Sequence, residues 1–168
     1  FTAFMLDMFS TRTLSPKMSA QDVDYVARYT SYLPDLTTTP KPVCPYIRMR
    51  GGFRSLLETG EELTKTPLIK SSNGIDFLHS SHNISTARVS EKSGVLLHYK
   101  FVDGLVEEAE RVLQDQKRSP YCQSRYVKYR ELRNLPDLIG TAMSAVRTYQ
   151  APQDLVQRGL MPAIEWAA

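Results

Sequence analysis

The chain has 168 residues, which is long enough for one domain with its own hydrophobic core. Its composition, 42% hydrophobic and 23% charged, is typical of a soluble globular protein. The net charge of +3 is small, and acidic residues interrupt the basic stretch between Lys117 and Arg133, so the charge pattern argues against a nucleic-acid-binding surface.

The first segment, residues 1–9, is apolar at nearly every position except Asp7, which predicts a buried strand or helix. It starts without an initiator Met and without a basic leader, so we expect the chain to be a fragment of a longer protein. Residues 19–22 resemble a capping box and predict a helix that continues to Leu33 and ends at Pro34.

The middle of the chain predicts extended structure. Residues 34–45 contain four prolines and are interpreted as a long extended connection. Residues 46–50 predict a short strand, closed by Gly51 and Gly52, whose backbones can adopt positive φ. Residues 67–70 predict an edge strand, and the Asn73-Gly74 turn predicts a hairpin that residues 75–78 complete.

The last third predicts one strong strand followed by helices. The strand is residues 94–102, and Asp103 is placed to cap a helix with one apolar face. A second helix is expected over residues 122–134, stopped by Pro136, and a third from Pro152 to Arg158. A short extended piece over residues 145–149 lies between them. The predicted fold class is α/β (α+β within this chain), with a small mixed sheet and three to four helices.

Two further patterns bear on location. No apolar run approaches the ~18 residues that a membrane-spanning helix needs, so the sequence predicts no transmembrane segment. Cys44 and Cys122 lie far apart and fit no metal or redox spacing. We therefore expect a cytoplasmic protein with reduced thiols.

The strand over residues 94–102 carries the strongest candidate chemistry. His98 and Lys100 are two residues apart, hence on one face of a strand, near the end where α/β folds bind ligands. A neutral imidazole can bind a divalent cation, and a nearby ammonium can neutralise phosphate oxygens. The alternative is a buried histidine bonded to a backbone carbonyl, with Lys100 reaching solvent, and the strand alone favours that alternative.

A second histidine pattern is His79-Ser-Ser-His82. The turn-rich surroundings predict a loop, where His79 is interpreted as a surface residue and His82 as a possible substrate contact. With few further ligand types in the chain, a structural zinc site is not expected.

A series of motifs in fixed order resembles the family 2-like glycosyltransferases. It is similar to the bacterial group whose C-terminal half carries G-G-x-R, K-x-P-L and L-L-H-[FY]-K-F signatures. The matching segments, which cover nearly the whole chain, are Leu6-Asp7-Met8, Gly51-Gly52-Phe53-Arg54, Lys65-Thr-Pro67-Leu68-Ile69, His82, Leu96-Leu-His98-Tyr-Lys100-Phe101, Ser144-Ala-Val-Arg147-Thr-Tyr149 and Leu155-Val-Gln-Arg-Gly159-Leu160-Met161.

The resemblance implies the C-terminal, acceptor-side part of an A-type glycosyltransferase fold. Residues 1–168 would be a single partial domain, with 103–168 a helical C-terminal extension and the nucleotide-binding half upstream of Phe1. The implied reaction moves a sugar from a nucleotide-sugar donor to a glycan or glycoconjugate acceptor, with Mn²⁺ or Mg²⁺ stabilising the departing diphosphate.

The resemblance also implies site residues. His98 is the implied ligand of the metal or diphosphate, with Lys100 as its electrostatic helper, and Arg54, His82 and Lys65 are the implied substrate-binding residues. Asp22-Val-Asp24 spells the family's D-x-D, but it follows no hydrophobic strand, and acidic residues are expected in the first turn of a helix. The true D-x-D is therefore expected upstream, and the isolated chain is expected to be inactive.

Two alternatives from other classes stay open. The first is a non-catalytic interaction domain on a degenerate glycosyltransferase scaffold, which would bind no nucleotide. The second is a small metal-binding protein that uses His79, His82 and His98.

Overall fold

A computed structural model describes residues 2–14, 24–40, 47–67, 75–80, 83–85, 93–115 and 118–162. The strands in these ranges are β1 (Thr2–Asp7), β2 (Ser31–Tyr32), β3 (Leu36–Pro40), β4 (Ile47–Gly51), β5 (Thr64–Lys65), β6 (Phe77–Ser80), β7 (Asn83–Ile84), β8 (Ser93–His98) and β9 (Arg147–Thr148). The α-helices are α1 (Tyr25–Arg28), α2 (Phe53–Leu56), α3 (Leu105–Asp115), α4 (Pro120–Arg130), α5 (Leu135–Gly140) and α6 (Pro152–Gln157).

The main sheet has three strands in the order β5–β1–β8. β1 runs parallel to β8, from Thr2 opposite Ser93 to Asp7 opposite His98, and antiparallel to β5. The middle position of β1 buries its residues after Thr2, as the apolar sequence predicts. The mixed α/β class with a small mixed sheet is confirmed, and in the described ranges the helices of six or more residues are α3 to α6.

Within the described ranges, three further sheets have two strands each. β3 and β4 pair antiparallel, so Leu36–Pro40 of the proline-rich segment forms a strand, and the predicted strand after that segment is confirmed as β4. Gly51 ends β4 opposite Leu36, and Gly51 and Gly52 have φ of +114° and +59°. This confirms the expected positive φ.

A row of aromatic rings connects the sheet to the helices. The Phe53 ring centroid lies 4.4 Å from that of Phe9 and 4.5 Å from that of Phe101. Phe101 in turn meets Tyr129 edge to face at 5.9 Å. Each of these four side chains is at most 1% exposed, so burial of their rings is a main source of stability.

The helical region after residue 103 shares this core. The predicted apolar face of α3 is confirmed, with Leu105, Val106, Ala109 and Val112 buried. Leu105, Val106 and Ala109 pack in one cluster with residues of β1. β9, near the end of this region, pairs with β2, which lies in the first part of the chain. Residues 103–162 are thus part of the same packed body as β1.

Several predicted helix boundaries are wrong. α1 covers only residues 25–28, because the chain turns into β2 at Ser31 to pair with β9. Asp24 is the N-cap of α1, accepting a hydrogen bond from the Ala27 N–H at 3.1 Å, as its interpretation as a helix-start residue requires. Pro136 does not terminate the helical run but lies in the first turn of α5, where its missing N–H costs nothing.

One strand prediction also needs correction. β8 ends at His98, four residues before the predicted end, and the chain then turns toward α3. β6 pairs with β7, which follows it. The Asn73-Gly74 turn, residues 68–70 of the predicted edge strand and the capping box at 19–22 lie outside the described residues. The predicted helix at the C-terminus is confirmed, with Pro152 in its first turn and Gly159 beyond its end at φ +69°.

Candidate functional site

The candidate site starts from the carboxyl ends of the two parallel strands. β1 ends at Asp7 and β8 at His98, and these residues are register partners. The Nδ1 atom of His98 lies 2.6 Å from Oδ1 of Asp7. The Asp7 side chain is 2% exposed, whereas that of His98 is 32% exposed. With the proton on Nδ1, the imidazole donates to Asp7 and keeps Nε2 available as an acceptor or metal ligand.

Arg54 holds the other side of the Asp7 carboxylate. Its Nε and Nη2 donate to the two oxygens of Asp7 at 2.7 and 3.2 Å, a bidentate contact. Its Nη1 donates to Oε2 of Glu61 at 3.0 Å. Burial lowers the pKa of Arg54, but the charges of Asp7 and Glu61 outweigh it, so the net pKa is raised. Arg54 therefore stays charged and fixes both carboxylates.

Glu61 extends the network to α4. Arg125 donates to its Oε1 at 2.6 Å, and the Tyr129 hydroxyl donates to its Oε2 at 3.3 Å. Burial, followed by the charge of Glu61, raises the pKa of Tyr129, which therefore remains a neutral donor. The two carboxylates and two guanidiniums balance in charge, which is how a buried ionic group becomes tolerable.

Lys100 contacts the same network through the ring of Tyr129. Because β8 ends at His98, the predicted alternation of a strand does not extend to Lys100. Its Nζ lies 4.8 Å from the centroid of the Tyr129 ring. Burial lowers the pKa of Lys100, Glu61 opposes the shift, and the charges of Arg125 and Arg54 add to it. His98 and Lys100 thus reach the network through separate contacts, His98 to Asp7 and Lys100 to the ring of Tyr129.

The lowered pKa of Lys100 gives a pH-dependent prediction. Between the folded pKa and the unfolded value near 10.5, the unfolded chain holds a proton that the folded chain has lost, so stability rises with pH. We expect the unfolding free energy of the wild type to rise relative to Lys100→Met as the pH goes from 7 to 10.5. Urea unfolding of both proteins across this range measures it.

Lys128→Met is the matched control for this titration. A hydrogen bond to Glu58 raises the pKa of Lys128, so its contribution stays constant below the unfolded value and is lost only above it. The difference between wild type and Lys128→Met should therefore be flat up to about pH 10. A flat difference for Lys100→Met as well would contradict the placement of Lys100.

The sequence also predicts Arg54, Lys65 and His82 as substrate-binding residues, and the structure describes the first two of them. Arg54 is 5% exposed and lines one wall of a cavity of about 270 Å³ near Ser55 and Glu58. Lys65 lies on β5 opposite Ala3, and burial, with a further contribution from Arg54, lowers its pKa. His82 lies outside the described residues, as does Cys44.

Sequence reasoning missed Asp7, Glu61, Arg125 and Tyr129 as members of the cluster. A signal existed for Asp7, since a carboxylate in an otherwise apolar buried strand must be paired. No comparable signal marks Glu61, because it lies in a polar loop.

Within this cluster, the ring of His98 has one nitrogen, Nε2, that does not contact Asp7 and that a metal could bind. No group of three or more His, Cys, Asp or Glu residues in the described part of the chain is placed to hold a metal ion. The carboxylates of Asp7 and Glu61 are occupied by guanidiniums.

Two findings complete the description. No helix within the described ranges is long and apolar enough to cross a membrane. Comparison of the chain with models of protein families, with curated proteins and with solved structures gives no match.

Proposed function

We propose that this chain supplies the acceptor-side part of a glycosyltransferase that moves a sugar from a nucleotide-sugar donor to a glycan or glycoconjugate. The observation that supports the proposal is the Asp7–His98 pair at the carboxyl ends of β1 and β8. A metal-binding histidine usually donates its second ring N–H to a carboxylate, and this pair has that form.

His98 would hold the metal through Nε2, since Asp7 engages Nδ1. Mn²⁺ or Mg²⁺, when bound, supplies positive charge that stabilises a departing diphosphate. Asp7 fixes the orientation of the ring, and Arg54 fixes Asp7. These residues do the positioning, while Lys100 adds a cation beside the cluster that can offset phosphate charge.

The exposure of β8 supports a larger assembly around this site. β8 forms one edge of the main sheet, and its residues are half-buried or exposed on both faces, unlike those of β1. In the described ranges no strand pairs with its outer edge. A strand from a nucleotide-binding half would fit there, and it would bring the remaining metal ligands to the same end of the sheet. A cytoplasmic location belongs to the same proposal.

The test is His98→Ala in the full-length protein that contains this chain. We expect turnover to fall by at least ~100-fold, because one preorganised charge-stabilising group is typically worth that much. Little loss of stability is expected, since the imidazole is one-third exposed. Initial rates of sugar transfer and thermal unfolding measure the two effects.

His79→Ala is the matched control, because β6 belongs to a separate two-stranded sheet. It should leave the rate within a few-fold of wild type. If His98→Ala transferred sugar as fast as His79→Ala, the assignment of His98 to the catalytic site would be wrong. A protein that neither binds a nucleotide sugar nor transfers one would instead support the non-catalytic interaction domain.

A further inference from the structure

A second cavity, of about 360 Å³, lies beside the loop that follows β1. Its volume falls within the roughly 300–1,000 Å³ typical of small-molecule sites. Unlike most such sites, its lining is dominated by polar side chains. Of the nine lining residues, five are Ser or Thr and three are charged, namely Arg12, Arg28 and Asp103.

Arg28 is held in place at this cavity. Its Nη2 donates to a carboxylate oxygen of Asp103, whose side chain is only 5% exposed. The guanidinium carbon also lies 5.7 Å from the ring centroid of Tyr29. Half of the Arg28 side chain remains exposed, so its other N–H groups are available in a fixed orientation. A preorganised guanidinium loses little entropy when it binds an oxyanion.

Arg12 brings a second cation to the same cavity. It is exposed, and its backbone N–H donates to the Ser10 hydroxyl at 3.2 Å, which shapes the loop. The lining contains two guanidiniums and one carboxylate, so its net charge is positive. Guanidinium groups bind phosphate oxygens through charge-assisted hydrogen bonds.

We propose that this cavity binds a small phosphorylated sugar or polyol. Arg12 and Arg28 contact the phosphate, and the Ser and Thr hydroxyl groups contact the hydroxyl groups of the ligand. The volume and the number of lining hydroxyl groups exceed what a bare phosphate ion would use. This site is separate from the His98 cluster and does not depend on the proposed glycosyl transfer.

The test uses the 168-residue chain with inorganic phosphate and glucose 1-phosphate as probes, at constant ionic strength. Calorimetric titration should show that both bind and that glucose 1-phosphate binds more tightly. Arg12→Ala and Arg28→Ala should each weaken binding of both probes by roughly tenfold or more, since each removes charge-assisted hydrogen bonds. Arg111→Ala, an exposed residue on α3, is the matched control and should leave the affinity unchanged.

Three results would overturn the proposal. Wild-type affinity in Arg12→Ala, whose exposed side chain is not required for folding, would remove the assigned phosphate contact. Equal weakening in Arg111→Ala would show attraction by overall charge only. Glucose 1-phosphate binding no tighter than inorganic phosphate would exclude the sugar contacts. His98→Ala should leave these affinities unchanged, which separates this proposal from the glycosyl-transfer site.

Discussion

Arg54→Met should lower the free energy of unfolding by about 3–5 kcal/mol, because it leaves two buried carboxylates without their shared cation. Arg54 makes the bidentate contact with Asp7 and also binds Glu61, and all three side chains are at most 8% exposed. Met fills a similar volume, so the loss reports the charge and hydrogen bonds more than a cavity. Urea unfolding at neutral pH measures the effect.

Arg54→Lys and Arg50→Met are the informative companions. Lys keeps the charge but lacks the planar fork that reaches both carboxylates, so Arg54→Lys should lie between Met and wild type. Arg50 is exposed on β4, and its replacement by Met should change stability by no more than about 0.5 kcal/mol. If Arg54→Met were as mild as Arg50→Met, the buried network would not exist as described.

Gly51→Ala should destabilise the chain by at least about 2 kcal/mol, through backbone strain and steric overlap together. Gly51 has φ +114°, and a Cβ there would lie 2.4 Å from the backbone oxygen of Asp35. That oxygen also accepts the Gly52 N–H at 2.7 Å, so it cannot move away without cost. Since α2 follows directly, the change should also disturb the position of Arg54. Thermal unfolding and the Arg54 side-chain resonances report both effects.

Gly140→Ala provides the opposite case. Gly140 is the last residue of α5, and a Cβ there would meet nothing within 4 Å. Ala loses less backbone entropy than Gly on folding, so this variant should be more stable by about 0.5–1 kcal/mol. Destabilisation of similar size at both glycines would contradict the described geometry of the β3–β4 pair.

Local sequence patterns were sufficient wherever one element decides its own structure. The apolar run around Asp7 predicted a buried strand or helix, which the structure shows to be the strand β1, and the spacing of Leu105, Ala109 and Val112 predicted the buried face of α3. Pro152 and Gly159 marked the two ends of α6, because proline and glycine act through their own backbone angles. The mixed α/β class followed from these elements in order.

The candidate site was predictable only in part. His98 and Arg54 were identified by resemblance. The roles that the resemblance implies for them are contacts with a substrate, and a local sequence pattern cannot show such contacts. Arg54 donates its hydrogen bonds to Asp7 and Glu61, so these contacts fix the positions of the two carboxylates. The contacts of Asp7 could not be predicted from local patterns, because Asp7 is 47 residues from Arg54 and 91 from His98 in the sequence.

The sequence by itself determined which segments are buried, which segments form turns and where several helices begin. Each of these features depends on neighbours within a few residues. Only the tertiary structure decided that β1 runs parallel to β8 and places Asp7 beside His98. It also ended α1 early to form β2, and it placed Pro136, which local reasoning treated as a stop, in the first turn of α5. Pairing between distant strands and charges outweighs local propensity, because burying an unpaired carboxylate costs more than shortening a helix by a turn.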